Sequence, residues 1–209
     1  MRHLLYLLLS FFLAGPSLAQ DVREFSAPLQ NRFDAPKPLV VRGYSGQAHA
    51  GFSGQVQILS MHPYADDWKG LLSPVDLAVG WGPLSHREAI DELRITQSNR
   101  FYHWTIPTRQ IDNWSAQDVV LNSANIHMVP GNSTIANRLL TLRPGDKVYI
   151  EGYLVDVIRP DNMIWETSLT RHDTGPGACE ILLLTNISYI PSQDNFERDP
   201  PNDTQTQNP

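Results

Sequence analysis

Short β-like runs separated by turn residues are the feature that most constrains the fold of this 209-residue chain. Runs rich in β-branched and aromatic residues predict strands at residues 39–42, 55–61, 75–80, 100–106, 119–121, 147–158, 163–169 and 179–190. Gly152 lies within the clearest run and indicates a bulge or a sharp bend. The pattern predicts a small domain that is mostly β or α+β, with an OB-like barrel as one suitable architecture.

Two short helices are predicted between the strands. Ser85 and Glu88 have the spacing of a capping box, which predicts a helix over residues 85–93. Residues 132–142 place four apolar side chains at helical spacing, and Pro144 and Gly145 then end the second helix.

The N-terminal residues have the three parts of a secretory signal. Arg2 supplies a short basic start, residues 4–14 are apolar, and Ser17 and Ala19 give a small-x-small ending. The apolar run is shorter than the roughly 20 residues that a membrane-spanning helix needs. We therefore expect residues 1–19 to be a cleaved signal peptide, and the protein to be periplasmic or secreted, with no membrane span after cleavage.

The rest of the chain divides into one domain and two loose ends. Residues 20–37 are polar and mixed, which predicts a flexible N-terminal segment, and residues 38–190 form a single globular domain. Residues 191–209 are rich in Pro, Asn, Asp, Gln and Thr. Such a segment buries too little apolar surface to offset the entropy lost on ordering, so a disordered tail is expected.

Composition excludes some classes of partner. The formal net charge is −6, and no basic stripe is present, so nucleic-acid binding and attachment to an anionic membrane surface are not expected. Cys179 is the single cysteine, which excludes a disulfide within the chain. A lone thiol in an oxidising compartment is buried, paired with another chain, or reactive.

The strongest candidate for catalysis is the glycine-rich segment 168–180. A thiol becomes a nucleophile beside a base or cation; Cys179 would attack, and His127 or His172 would take its proton. Asp173 or Glu180 would orient the imidazole. The candidate catalytic residues are therefore His127, Cys179, Asp173, Arg171 and Glu180. The structural alternative is a hairpin with an Arg171–Asp173 pair and a buried thiol.

Aromatic and histidine residues suggest other sites. Trp81 and residues 101–104 would form a platform for a sugar, peptide or apolar ligand if exposed, although such rings commonly belong to a core. His127 with His62, His103 or His172 would form a metal site.

Several motifs together resemble a known group of proteins. They are WGP at residues 81–83, SANxH at 123–127, GDxV with GYLV at 145–148 and 152–155, and SLxRxDTGxGACE at 168–180. Across residues 74–190 the chain is similar to a group of uncharacterised small exported bacterial proteins. That resemblance implies a family and supplies no activity, cofactor or site residue.

Three functional interpretations follow. The leading one is an exported accessory domain that binds a small ligand or a protein partner. The second is a thiol-dependent enzyme with Cys179 as nucleophile and His127 as base, and the third is a histidine-based metal-binding protein. The sequence assigns no cofactor, substrate or oligomeric state.

Overall fold

The computed structural model describes residues 24–65, 67–170, 175 and 177–191. Within them the protein is mostly β, and the strands are β1 (Leu29–Val41), β2 (Tyr44–Pro63), β3 (Val75–Gly80), β4 (Arg94–Ser98), β5 (Phe101–Thr105), β6 (Ser123–Pro130), β7 (Lys147–Ile158), β8 (Ile164–Trp165) and β9 (Glu180–Tyr189). The helices are α1 (Trp68–Leu72), α2 (Glu88–Glu92), α3 (Ala116–Asn122) and α4 (Ser133–Thr141), with 3₁₀ turns at Pro83–Ser85 and Thr108–Gln110. None of the helices so described is long and apolar enough to cross a membrane.

Seven of these strands form one sheet in the order β1-β2-β3-β6-β9-β7-β8. An additional pairing of β2 with β7 closes part of this sheet into a five-stranded ring. Within the ring β6 and β9 are parallel, and the other neighbours are antiparallel. A five-stranded ring with Greek-key connections is the architecture of an OB-fold, so the predicted small β-rich, OB-like domain is confirmed.

Glycine and bulges give the strands the curvature that the ring needs. The pairing of β7 with β9 changes register between Glu151 and Gly152, as expected from the glycine in that run. A Cβ atom at Gly152 would collide with the carbonyl oxygen of Leu183, so a larger residue would force the two strands apart. β2 contains further irregularities in its pairing with β3 and with β7.

The main core lies inside the ring. Alternate residues of β3 and β6 point inward, and α4 adds apolar side chains from one end. These inward residues are Val75, Leu77, Val79, Ile126, Met128, Ile135 and Leu139, and all are buried. The helix predicted over residues 132–142 is confirmed, with Asn132 accepting a hydrogen bond from the backbone of Ile135 at its start.

The outer face of β3 is covered as well. All six residues of this strand are buried, although a strand turns alternate side chains to opposite faces. On the outer side Ala78 packs with Leu84, Ala89 and Val119, which belong to the segments between β3 and β6. Strand β3 therefore holds Asp76 on a face that is shielded from solvent.

Some predicted elements differ from the structure. Residues 29–37, expected to be flexible, form most of β1, because their backbone pairs with β2 even though their side chains are mostly exposed. The run 119–121, predicted as a strand, lies in α3. Of the strand predicted at 163–169, only Ile164–Trp165 pairs with a neighbour.

The predicted cap at Ser85 is also wrong. Helix α2 begins after Arg87 and has no side-chain cap. The Ser85 hydroxyl instead donates to the carbonyl of Gly82 at 2.6 Å and accepts from the backbone N–H of Phe25 at 3.2 Å. The predicted signal peptide, residues 20–23 and the tail from residue 192 lie outside the described residues.

The capping box of α3 gives a test of local stability. Ser115 and Asp118 exchange hydrogen bonds there, and these bonds hold the pKa of Asp118 below its ordinary value. We expect Ser115→Ala to lower the free energy of unfolding at pH 7 by about 1 kcal/mol in urea titrations. Gln117→Ala, an exposed control on the same helix, should change it by less than about 0.5 kcal/mol.

The pH dependence of the same cap has a defined sign. A carboxyl whose pKa is lower in the folded state stabilises the protein above its unfolded pKa, which is about 3.9 for Asp. That contribution falls as the pH drops through the lower folded pKa, because the carboxyl is then protonated in both states. The cost of Asp118→Asn should therefore be largest near neutral pH and vanish in strong acid; a cost independent of pH would contradict this assignment.

Candidate functional site

Three neighbouring strands bring the candidate residues to one face. Asp76 on β3 pairs in register with His127 on β6. Asn125 lies two residues before His127, so its side chain points to the same side. In the parallel pairing, Ile126 lies opposite Glu180, which places Cys179 beside Asn125 where β9 begins.

The Asp76 carboxylate is the buried charge of this face. Asp76 is 1% exposed, and its Oδ1 accepts a hydrogen bond from Nη1 of Arg100 at 2.7 Å. The same oxygen lies 2.9 Å from Nδ1 of His127, an ion-pair distance without the alignment of a hydrogen bond. His127 thus turns Nδ1 toward Asp76, which leaves the opposite ring edge, with Nε2, for other partners.

A strained turn delivers Arg100 to the carboxylate. Strands β4 and β5 are joined by Asn99 and Arg100, whose φ angles are 51° and 69°. Two residues with positive φ form the type I′ turn of tight hairpins, which usually takes glycine at the second position. Arginine is uncommon in this conformation, and its presence here indicates that the contacts of its side chain outweigh the strain.

Arg100 contacts several elements at once. Its Nη1 also donates to the carbonyl of Ser73 at 3.0 Å, and its guanidinium lies 3.9 Å from the centre of the Tyr64 ring. Its backbone N–H donates to the Tyr64 hydroxyl at 2.9 Å. Its backbone carbonyl accepts from Nδ2 of Asn125 at 3.0 Å. The hairpin is therefore fixed to the sheet next to the thiol.

Cys179 lies between a donor and an acceptor. Nδ2 of Asn125 donates to its sulfur at 3.4 Å, and the thiol donates to the Arg100 carbonyl at 3.6 Å. Asn125 is itself fixed, because its Oδ1 accepts from Gln97 at 2.7 Å. Cys179 is half-buried, and its contacts with Asn125 and the Arg100 carbonyl hold the sulfur in place.

Two cavities meet at Cys179, and both are lined by this residue and Phe101. We call them together the cleft. The first cavity, of about 240 Å³, is the aromatic arm, and the side chains of Phe101, Tyr102 and Trp104 line it with Val120 and Ala124. The second, of about 340 Å³, is the polar arm, lined by Lys69, Arg100, His127, Trp165 and Glu166.

Trp165 forms a wall of the polar arm. Its ring lies 5.0 Å from the His127 ring and 5.8 Å from the Trp68 ring, centre to centre. Nζ of Lys69 lies 4.9 Å from the centre of the same indole. The polar arm therefore places a cation over an aromatic ring beside the imidazole, an arrangement in which ring and cation attract.

The tyrosines near the cleft are kept neutral. Burial raises the pKa of Tyr102 above its ordinary value, and the nearby Glu180 and Cys179 act in the same direction. Burial also raises the pKa of Tyr64, although the hydrogen bond from the Arg100 backbone opposes it. The hydroxyl of Ser123 donates to the Val119 carbonyl, so Tyr102 acts as the donor in its 3.1 Å hydrogen bond with Ser123.

The structure brings together part of the predicted site. His127 and Cys179 line the same cavity, while Glu180, 2% exposed, lines the aromatic arm. Arg171, His172 and Asp173 lie outside the described residues. His127 lies in the middle of β6.

Sequence reasoning missed Asp76 and Arg100. Asp76 is the one charged residue in an otherwise apolar strand, and a buried charge of that kind needs a partner. That signal was available in the sequence. The identity of the partner, Arg100, could not be predicted in the same way, because this residue comes from the turn between β4 and β5.

The aromatic and histidine clusters have separate positions. Trp81 is buried in the core, as the structural alternative expected, whereas Phe101 is partly exposed. His62 lies against the Tyr64 ring, and His103 is exposed on β5. Among the described residues, no group of three His, Cys, Asp or Glu side chains could hold a metal ion.

Arg100 provides a test of how the site is held together. Arg100→Gly relieves the positive φ but leaves the Asp76 carboxylate buried without its cation. Breaking a buried pair costs about 3–5 kcal/mol, so we expect the free energy of unfolding in urea to fall by about 3 kcal/mol. Adding Asp76→Asn should recover part of that loss, since the unpaired charge is then removed.

Asn99→Gly is the matched control, because it changes the same turn without touching the ion pair. Its effect should stay below about 1 kcal/mol. If Arg100→Gly lowered the free energy of unfolding by no more than Asn99→Gly does, the ion pair with Asp76 would contribute nothing to stability.

The chain was compared with known protein families, curated proteins and solved structures. Neither protein families, nor curated proteins, nor solved structures gave a match to the chain. The resemblance of residues 74–190 to exported bacterial proteins therefore stays a prediction. Any function has to be inferred from the cleft, its charges and its thiol.

Proposed function

We propose that the cleft binds a small ligand and that Cys179 attacks this ligand as a nucleophile, with His127 as the base. One observation carries the proposal. The thiol and the imidazole line the same cavity, and the buried carboxylate of Asp76 lies at Nδ1 of that imidazole. A nucleophile, a base and a third group that orients the base are the parts of a nucleophilic catalytic site.

Each residue has a separate role in this proposal. Asp76 keeps Nδ1 turned away from the cavity, so that Nε2 takes the proton of the thiol, directly or through one water molecule. Asn125 donates to the sulfur, and a donor at this position stabilises the thiolate. Arg100 balances the charge of Asp76 and positions Asn125 through its backbone carbonyl.

Ligand binding without chemistry is the second candidate. It is supported by the aromatic arm, where Phe101, Tyr102 and Trp104 line a concave surface next to polar groups. Concave, mostly apolar cavities with a few placed polar groups are typical of small-molecule sites. The two candidates differ in one respect, which is whether the sulfur forms a bond with the ligand.

Export is part of the proposal, on the basis of the pattern in residues 1–19. When the full chain is expressed in a Gram-negative bacterium, we expect it in the periplasmic fraction with Gln20 as its first residue, measured by mass spectrometry. A cytoplasmic protein that retains Met1 would overturn this part.

The catalytic proposal is tested with p-nitrophenyl acetate as an acyl donor and iodoacetamide as a thiol probe. The native protein should release a stoichiometric burst of nitrophenol, and Cys179→Ala should abolish it. His127→Gln should slow the burst about 100-fold or more, since general bases contribute roughly 10²–10⁴. His103→Gln is the matched control on an exposed histidine and should leave the burst unchanged.

Four outcomes would count against this proposal. A burst that persists in Cys179→Ala would place the chemistry elsewhere. A thiol that iodoacetamide reaches only after unfolding would end the role of Cys179, and a reactive thiol without any burst would favour ligand binding alone. Loss of the burst in His172→Gln, with His127→Gln unaffected, would reassign the base.

A further inference from the structure

The two arms of the cleft differ in chemistry, and Cys179 lies where they join. Phe101, Tyr102 and Trp104 line the aromatic arm, and among the described residues that line it, Glu180 is the one with a formal charge. The polar arm contains Lys69, Arg100 and Glu166. A molecule that spans the cleft therefore presents an apolar group on one side of the sulfur and a polar group on the other.

We propose that the substrate is a carboxylic ester whose apolar acyl group lies in the aromatic arm and whose polar leaving alcohol lies in the polar arm. This inference rests on the proposed function of Cys179 and names its substrate class. An apolar acyl group gains free energy by leaving water for an aromatic-lined cavity. A buried carboxylate such as Glu180 disfavours an anionic group in the same arm.

The geometry also assigns the side on which the bond breaks. His127 lines the polar arm and does not line the aromatic arm. The group that must receive a proton as it departs is the alcohol oxygen, which therefore belongs beside His127. The acyl group then remains attached to sulfur on the aromatic side.

The reaction balances with water as the only co-reactant. His127 takes the thiol proton, the sulfur forms a bond with the carbonyl carbon, and the bond from that carbon to the alcohol oxygen breaks as His127 returns the proton to it. Water then attacks the same carbon while His127 takes a proton from the water. The carbon–sulfur bond breaks, the sulfur is reprotonated, and the carboxylic acid leaves.

The test is a series of p-nitrophenyl esters from acetate through butyrate to hexanoate. Burying one methylene contributes about 0.8 kcal/mol, so kcat/KM should rise about fourfold for each added methylene. Val120→Phe, on the wall of the aromatic arm, should return the hexanoate value to within about threefold of the acetate value. Leu121→Phe, on the same helix but exposed and outside the cleft, is the matched control and should leave the series unchanged.

A second measurement does not depend on the folding of Val120→Phe. Hexanamide should protect Cys179 from iodoacetamide in the native protein, and acetamide at equal concentration should not. The failures of the two proposals are distinguishable. A Cys179-dependent burst with equal rates for all three esters, or no protection by hexanamide, overturns the substrate class and leaves the nucleophile intact. If none of the three esters gives a burst, the role of Cys179 as nucleophile is itself overturned.

Discussion

The burial of the Asp76 carboxylate is the constraint on which the rest of this structure depends. The strand that carries it is covered on both faces, so water cannot solvate the charge, and an unpaired ion in that environment would be costly. Its partners come from two different elements: Arg100 from the turn between β4 and β5, and His127 from β6. The docking of that hairpin onto the sheet is therefore a requirement for burying the charge.

Structure and proposed chemistry are coupled through Arg100. Its guanidinium compensates Asp76, while its backbone carbonyl holds Asn125 and accepts from the thiol of Cys179. A non-glycine residue at φ 69° is strained, and such strain persists only where surrounding contacts determine the conformation. The ion pair, the strained turn and the position of the sulfur thus form one unit, and a change in the pair would also displace the thiol.

Local signals predicted the elements that depend on local physics, such as α4, the strand 147–158 and its irregularity at Gly152. They failed where two signals compete. Val119 and Val120 favour a strand by residue type, but the capping box of Ser115 and Asp118 starts a helix just before them. Residues 29–37 of β1 were missed because their side chains are mostly exposed and their order comes from backbone pairing with β2. For the site, residue type identified Cys179 and His127, whereas their assembly with Asp76 and Arg100 depends on strand register and on a long connection.

The sharing of Asp76 between Arg100 and His127 also bears on the proton transfer that we propose for the cleft. Because Arg100 balances the carboxylate, the cluster is neutral when both His127 and Cys179 are uncharged. In the proposed reaction, transfer of the thiol proton to His127 creates an imidazolium and a thiolate that line one cavity, and the total charge of the cleft does not change. In a half-buried site, separating charge between neighbours costs far less than adding a net charge. The proposed nucleophile and its proposed base therefore exchange a proton within the cleft without changing its net charge.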